Sequence, residues 1–308
     1  MGTVHRLATA AGEVTLGEAT ARFLATLDHP EKQGTRRAYG YTCKAILAGL
    51  GDGTELPALT ADGLREWFAA RWKDAKPATW NANRGALRSF LSYCEEQGWI
   101  TSARDLARGI EIRTVSPDRD KALSRARVEQ LLTDEKIPLR ERSLWRLLYE
   151  TAARSAEVLG LDVADLDTAN RCARVRRKGG AMDIIVWQTG TARLLPRLLK
   201  GRKAGPVFLT QKRSRVQLPP ADTDPETGLA RLSYEQAEQL FKRHSGGATL
   251  HQLRHSALTH AAEDGVNTSM MMARSGHTSV RSLVRYARVS KEALLRHQAE
   301  TDPARRRK

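Results

Sequence analysis

The sequence predicts a mainly α protein with one small β-hairpin or sheet (α+β), built in two parts. Three observations carry this. From Thr15 to about Ile100 the apolar residues recur at helical spacing with little strand signal. The stretch Ala107–Ser124, "ARGIEIRTVSPDRDKALS", loses that period, gains charge and contains Pro117. Beyond it, two β-prone runs flank the tripeptide "KGG" and are embedded among further helices. The expected division is therefore a helical domain over 13–110, a linker over 111–122 and a second domain over 123–308.

In the first domain, Leu16, Ala19, Phe23, Leu24 and Leu27 make the stripe of a first helix. A second helix spans Thr35–Leu50 and ends at the breaker "GDG", and a third spans about Thr60–Trp72. The fourth is the clearest. Pro77 suits a first turn, Trp80, Leu87, Phe90, Leu91 and Cys94 share a face, and Gly98 ends it. Four short amphipathic helices of this kind form a small bundle. Arg84 and Arg88 occupy a face of their own on the fourth, either as groove contacts for a nucleic acid or as part of a solvated surface.

The second domain opens with helices near Arg125–Leu132 and Arg140–Glu150, followed by "RSAEVLGL". "RCARVRRKGGAMDIIVW" reads as a hairpin. Val216–Gly228 is a polar, Pro-bearing loop. Helices are then expected over Tyr234–His244, Leu250–Asp264 and about Thr268–Ser275, with a terminal pair near Ser279–Tyr286 and Lys291–Ala299.

Composition narrows the function. The chain has 308 residues, 51 Lys plus Arg against 35 Asp plus Glu, and a formal net charge of +16. Such a field attracts polyanions, of which nucleic acid is the commonest. No apolar run reaches the roughly 18–20 residues of a membrane span. The opening segment has no apolar core of signal-peptide length. Cys43, Cys94 and Cys172 are too scattered for a disulfide framework or a CxxC zinc site. A cytoplasmic protein with reduced thiols and no membrane contact is expected.

The run "TLHQLRHSALTH", Thr249–His260, concentrates the chemistry. His251 and His255 are four apart, the spacing of two metal ligands on a helix. However, a zinc peptidase motif needs Glu where Gln252 stands, and an arginine one turn away repels a cation. Thr249 with Gln252 is instead a capping box, so Thr249 is the expected N-cap. Leu250, Leu253, Ala257 and Ala261 form the buried stripe, which leaves His251 and Arg254 on a polar side by the helix N-terminus. Unpaired N–H groups, an imidazole and an arginine fork together suit a phosphate. His255 and His260 are expected to be structural or solvated. No metal and no cofactor is expected.

Two more stretches fit a phosphate site. Arg154 lies between two helical runs with Glu157 three residues on, placed to hold a side chain; His277 follows Gly276, nine residues before Tyr286. The order Arg154, Lys178 in the hairpin, His251-x-x-Arg254, His277, Tyr286 resembles the tyrosine recombinase (phage integrase) family. "TAARSAEVLGLDVADLD" resembles that family's first-arginine motif, "HQLRHSALTH" its HxxR box and "SGHTSVRSLVRYARVS" its tyrosine box. The resemblance covers the second domain, and the helical first domain resembles the family's core-DNA-binding module in a two-domain, Xer-like layout. Ser275, where the family more often has an apolar residue, and the long polar segment before Tyr234 depart from the pattern.

The resemblance implies a site-specific recombinase that cuts and rejoins double-stranded DNA as a homotetramer, without metal or ATP. It implies Tyr286 as the nucleophile, with Arg154, Arg254 and His277 stabilising the transition state. Lys178 is implied as the general acid, although Arg176, Arg177, Lys200 and Lys203 are other cations of the same domain. His251 is either a general base or another phosphate donor. Glu157 is a supporting residue, and Leu294 and Leu295 offer an apolar spot for a neighbouring subunit. The alternatives are a type IB topoisomerase-like nicking-closing enzyme and a non-catalytic DNA-binding regulator.

Overall fold

A computed structural model describes residues 14–29, 32–115, 122–177, 179–283, 294–295 and 298–299. No described helix is long and apolar enough to cross a membrane. The chain divides into two compact units, Met1–Ser116 and Pro117–Lys308.

The first unit contains α1 (Leu16–Ala25), α2 (Gln33–Leu50), α3 (Ala61–Trp72), α4 (Pro77–Glu96) and a short α5 (Ala103–Leu106). The four long helices match the sequence expectation, and α5 is an addition. Side-chain oxygens of Thr15, Thr60 and Ser102 cap α1, α3 and α5 by accepting backbone N–H groups. Leu16, Phe23, Ile46, Leu64, Phe68, Leu87, Phe90 and Leu91 fill the core. Phe68 meets Trp80 edge-on at 4.7 Å. Burial pushes the thiols of Cys43 and Cys94 up to about 12, so both stay protonated.

The start of the expected linker is not loose. The Trp80 indole N–H donates to the Glu111 carbonyl at 2.8 Å, and the Arg113 guanidinium carbon lies 3.6 Å from the centre of the Trp80 ring. Asn81 exchanges two hydrogen bonds with the backbone of Arg113. Residues 111–113 are thus strapped along α4, because an aromatic face and an amide there satisfy their backbone groups.

The second unit contains α6 (Arg125–Thr133), α7 (Leu139–Thr151), α8 (Ser155–Leu159), β1 (Leu166–Asp167), β2 (Cys172–Arg176), β3 (Met182–Val186) and α9 (Thr189–Leu199). It continues with β4 (Leu209–Arg213), β5 (Leu229–Arg231), α10 (Tyr234–Ser245), α11 (Leu250–Glu263), α12 (Thr268–Ser275) and α13 (Val280–Leu283). α7 lies at the centre and packs against α6, α9 and α11. Its Trp145 is fully buried and meets Phe241 of α10 edge-on at 5.1 Å. The expected hairpin forms by antiparallel pairing from Cys172↔Val186 to Arg176↔Met182, with β1 added on the outer side of β2. Ala173, Val175 and Ile185 point its buried face into the core. Sequence reasoning did not anticipate β1, α9 or the β4–β5 pair.

Candidate functional site

The residues singled out in three separate stretches converge at the C-terminal end of α7. That helix ends with Ala152 in the left-handed region, at φ 51, which turns the chain so that Arg154 becomes the N-cap of α8. Arg154 keeps a side chain 36% exposed, and its guanidinium Nη1 donates to Glu157 Oε1 at 2.8 Å. Glu157 Oε2 accepts the Arg154 backbone N–H at 2.8 Å, closing a box between the two residues. Glu157 thus touches both the guanidinium and the backbone N–H of Arg154.

Arg254 departs from the expectation. The sequence pattern sets it on a polar side of α11 with His251, but it is 4% exposed while His251 is exposed. Its Nη1 donates to the Ala152 carbonyl and its Nη2 to the Ser275 carbonyl at 2.8 Å. Both acceptors belong to neighbouring elements, so spacing along α11 alone could not show them. These two carbonyls accept from the guanidinium N–H groups and fix its position in a largely dry place.

α12 ends in the left-handed Gly276, at φ 64, and the turn presents His277. Ser275 Oγ and His277 Nδ1 share a hydrogen bond of 2.6 Å. Ser275 therefore holds Arg254 with its carbonyl and His277 with its hydroxyl. In the sequence it figured only as a departure from a pattern.

Arg177, at the end of β2, was also missed. It is 8% exposed; Nη1 donates to Glu157 Oε2 at 2.6 Å and Nε to Asp183 Oδ2 at 2.9 Å. A methyl added at Gly276 would lie 2.6 Å from its guanidinium carbon, so the arginine is seated against that turn. The signal available in the sequence was a single Glu157 among several cations. These contacts, joined by the chain itself from Ala152 to Arg154 and from Ser275 to Gly276, close a circuit through Glu157, Arg177 and Arg254. Arg274 adds to it, donating from Nη2 to the carbonyls of Tyr149 and Glu150 at 3.1 and 2.7 Å, so the end of α7 is met by two cations.

The remaining candidates divide. Lys178 and Tyr286 lie outside the described residues. Thr249 caps α11 with the predicted box: its Oγ1 accepts from the Gln252 N–H at 3.1 Å and Gln252 Oε1 from the Thr249 N–H at 2.9 Å. His255 Nδ1 and Thr259 Oγ1 are 3.3 Å apart. His260 is buried and shares a 2.7 Å hydrogen bond with the Tyr149 hydroxyl. Burial, helped by the Arg125 charge, lowers its pKa and favours the neutral ring. Among the described residues no cluster of His, Cys, Asp and Glu could hold a metal ion.

In the first unit Arg88 is exposed. Arg84 is partly buried, and its Nε donates to the Ile110 carbonyl at 2.5 Å, which ties α4 to the strap that follows. An open hollow of about 920 Å³ between β4, β5 and α10 is lined by Arg140, Lys212, Arg213, Arg215, Arg231 and Arg243 among others, and by none of the candidate catalytic residues.

Residues 121–293 match the pattern of the Phage integrase family. Tyrosine recombinase XerC of Mycobacterium bovis (strain BCG / Pasteur 1173P2) is 30% identical over 279 residues, covering 83% of this chain and 88% of the relative. Tyrosine recombinase XerD of Mycobacterium leprae (strain TN) is 31% identical over 232 residues, covering 68% and 69%. Among solved structures, the Tn1549 transposon integrase in complex with circular intermediate DNA shares the fold at a TM-score of 0.68, with 16% identity and coverage of 92% of this chain and 99% of that one. A lambda integrase tetramer bound to a Holliday junction superposes at 0.65, with 17% identity and coverage of 86% and 78%. The chain belongs to the phage integrase family and is a site-specific tyrosine recombinase.

Proposed function

We propose that the protein cuts and rejoins double-stranded DNA by transesterification at one phosphate per strand. The Tyr286 oxygen attacks phosphorus in line, the bond from phosphorus to the 5′-oxygen breaks, and a 3′-phosphotyrosine and a 5′-hydroxyl result. Because the ester conserves the energy of the broken bond, rejoining needs no ATP. Arg154 and Arg254 meet the charge that gathers on the non-bridging oxygens, and His277 adds a hydrogen bond. These cations do the work a metal would otherwise do. Lys178 protonates the departing 5′-oxygen, and His251 takes the phenol proton or donates to the phosphate.

One observation carries the reading: Arg254 is clamped by the carbonyls of Ala152 and Ser275, in the same circuit of contacts that holds Arg154 and His277. Two arginines fixed by their neighbours, one buried and one partly exposed, support the reading of a seat for an anion. The net charge of +16 supports long-range attraction to the duplex. A homotetramer on DNA, acting in pairs, is part of the proposal. The solved lambda integrase relative is a tetramer on a Holliday junction, and Leu294 and Leu295, 54% and 58% exposed, offer apolar contact area. The division into a DNA-gripping domain before residue 111 and a catalytic domain after residue 122 belongs to the same proposal, as does a cytoplasmic location.

The test is trapping on a nicked suicide site. The expected result is a covalent protein–DNA adduct, insensitive to EDTA and lost in Tyr286→Phe. An adduct that persists in Tyr286→Phe, or one that needs a divalent ion, overturns the mechanism.

A further inference from the structure

We infer that Arg177 is a positioning residue for strand cleavage: it ties the β2–β3 loop to Glu157, and through it to Arg154, and so sets where the next residue, Lys178, acts. This rests on the reading of Lys178 as the acid that protonates the leaving 5′-oxygen.

Four observations support the inference. First, the charges alternate along a ladder, Asp183–Arg177–Glu157–Arg154, joined at 2.9, 2.6 and 2.8 Å. Second, the ladder crosses elements. Arg177 and Asp183 stand at the two sides of the hairpin loop, whereas Glu157 lies in α8 and Arg154 is its N-cap. The Arg177 N–H also donates to the Ala181 carbonyl at 2.7 Å, so the same residue closes the loop through its backbone. Third, the guanidinium is seated against Gly276, next to His277. Fourth, its Nη2 is buried and meets no hydrogen-bond acceptor among the described residues, so burying this arginine is not explained by local stability alone.

The chemistry gives this placement a consequence. Gly179 and Gly180 stand at φ 90 and 86, in the left-handed region that favours glycine, and neither has a side chain to anchor the turn. A proton donor at residue 178 then depends on an anchor immediately before it. Arg177 supplies two charge-assisted bonds to different carboxylates from one planar group, which a lysine cannot reproduce.

The discriminating experiment compares single-turnover cleavage of two nicked sites. One carries the natural 5′-oxygen at the scissile phosphate, and the other carries sulfur there. Sulfur departs as a thiolate and needs no proton, so it relieves a defect in the general acid and no other. Arg177→Met is expected to be slowed roughly 10- to 100-fold on the oxygen site, a partial loss of the roughly 100- to 10,000-fold a general acid supplies, and to return to near the wild-type rate on the sulfur site. Arg154→Ala is expected to stay slow on both. Equal slowing of Arg177→Met on the two sites, or no slowing on either, overturns the inference. Lys178→Ala separates the two layers: if sulfur fails to restore it, the acid reading itself falls; if sulfur restores it but not Arg177→Met, only the role of Arg177 falls. Should Arg177→Met fail to fold, Asp183→Asn, at a side chain 45% exposed, carries the same comparison.

Discussion

At Arg254 burial and charge pull in opposite directions, and its acceptors reconcile them. A guanidinium 4% exposed would be costly without acceptors, and the Ala152 and Ser275 carbonyls provide them. Arg154 is stabilised differently, by sharing the Glu157 carboxylate, and keeps more exposure. The two cations are therefore not interchangeable. Arg254→Ala is expected to lower single-turnover cleavage on the order of 100- to 1000-fold, as removal of one transition-state donor does. It should also lower stability by about 1–3 kcal/mol, because two buried carbonyls lose their donor. Cleavage kinetics and chemical denaturation on one preparation measure both. Loss of stability with an unchanged cleavage rate would remove Arg254 from the site.

At the scale of elements, the site is made of ends. The left-handed terminus of α7, the first turn of α8, the end of β2 and the left-handed terminus of α12 meet around the side of α11. Each end exposes backbone groups that one side chain can satisfy, which is why arginines collect there. Gly276 is the tightest point. Its φ of 64 is unfavourable for a residue with Cβ, and a Cβ would press on Arg177. Gly276→Ala is thus expected to cost about 1–2 kcal/mol for the backbone conformation and to slow cleavage further by displacing Arg177 and His277. A shifted denaturation midpoint accompanied by slower adduct formation is the expected pair of results.

Element by element, the sequence was an uneven guide. The fourth helix and the capped α11 were legible because a strong period coincides with an explicit start signal. α9 was not, although Thr191, Leu195 and Leu199 sit on one buried face, because Gly190 and the internal Pro196 disguise a helix. β4 and β5 pair across a long polar loop, with a register shift between them, and short separated strands carry no local signature.

For the whole molecule, the net charge of +16 governs encounter with DNA more than it governs chemistry. Binding to a duplex site should fall linearly in log–log form as salt rises, by on the order of 10³-fold or more between about 50 and 200 mM if at least six phosphates are contacted. Filter binding or fluorescence anisotropy with the Tyr286→Phe protein measures this without cleavage. A flat profile would mean that the basic surface is not the DNA-facing one.

The residue types, their order and the helical periods were properties of the sequence alone. They determined the mainly α class, the small hairpin and the capped α11. Long-range contacts were a different matter. That Arg254 is buried, that Ser275 holds two site residues and that Arg177 joins the hairpin to Glu157 depend on groups up to 102 positions apart in the chain. A period of 3.6 residues reports which face of a helix is apolar. It does not report which carbonyl of another element waits there for a guanidinium, and that was decided only when the ends of α7, α8, β2 and α12 packed around α11.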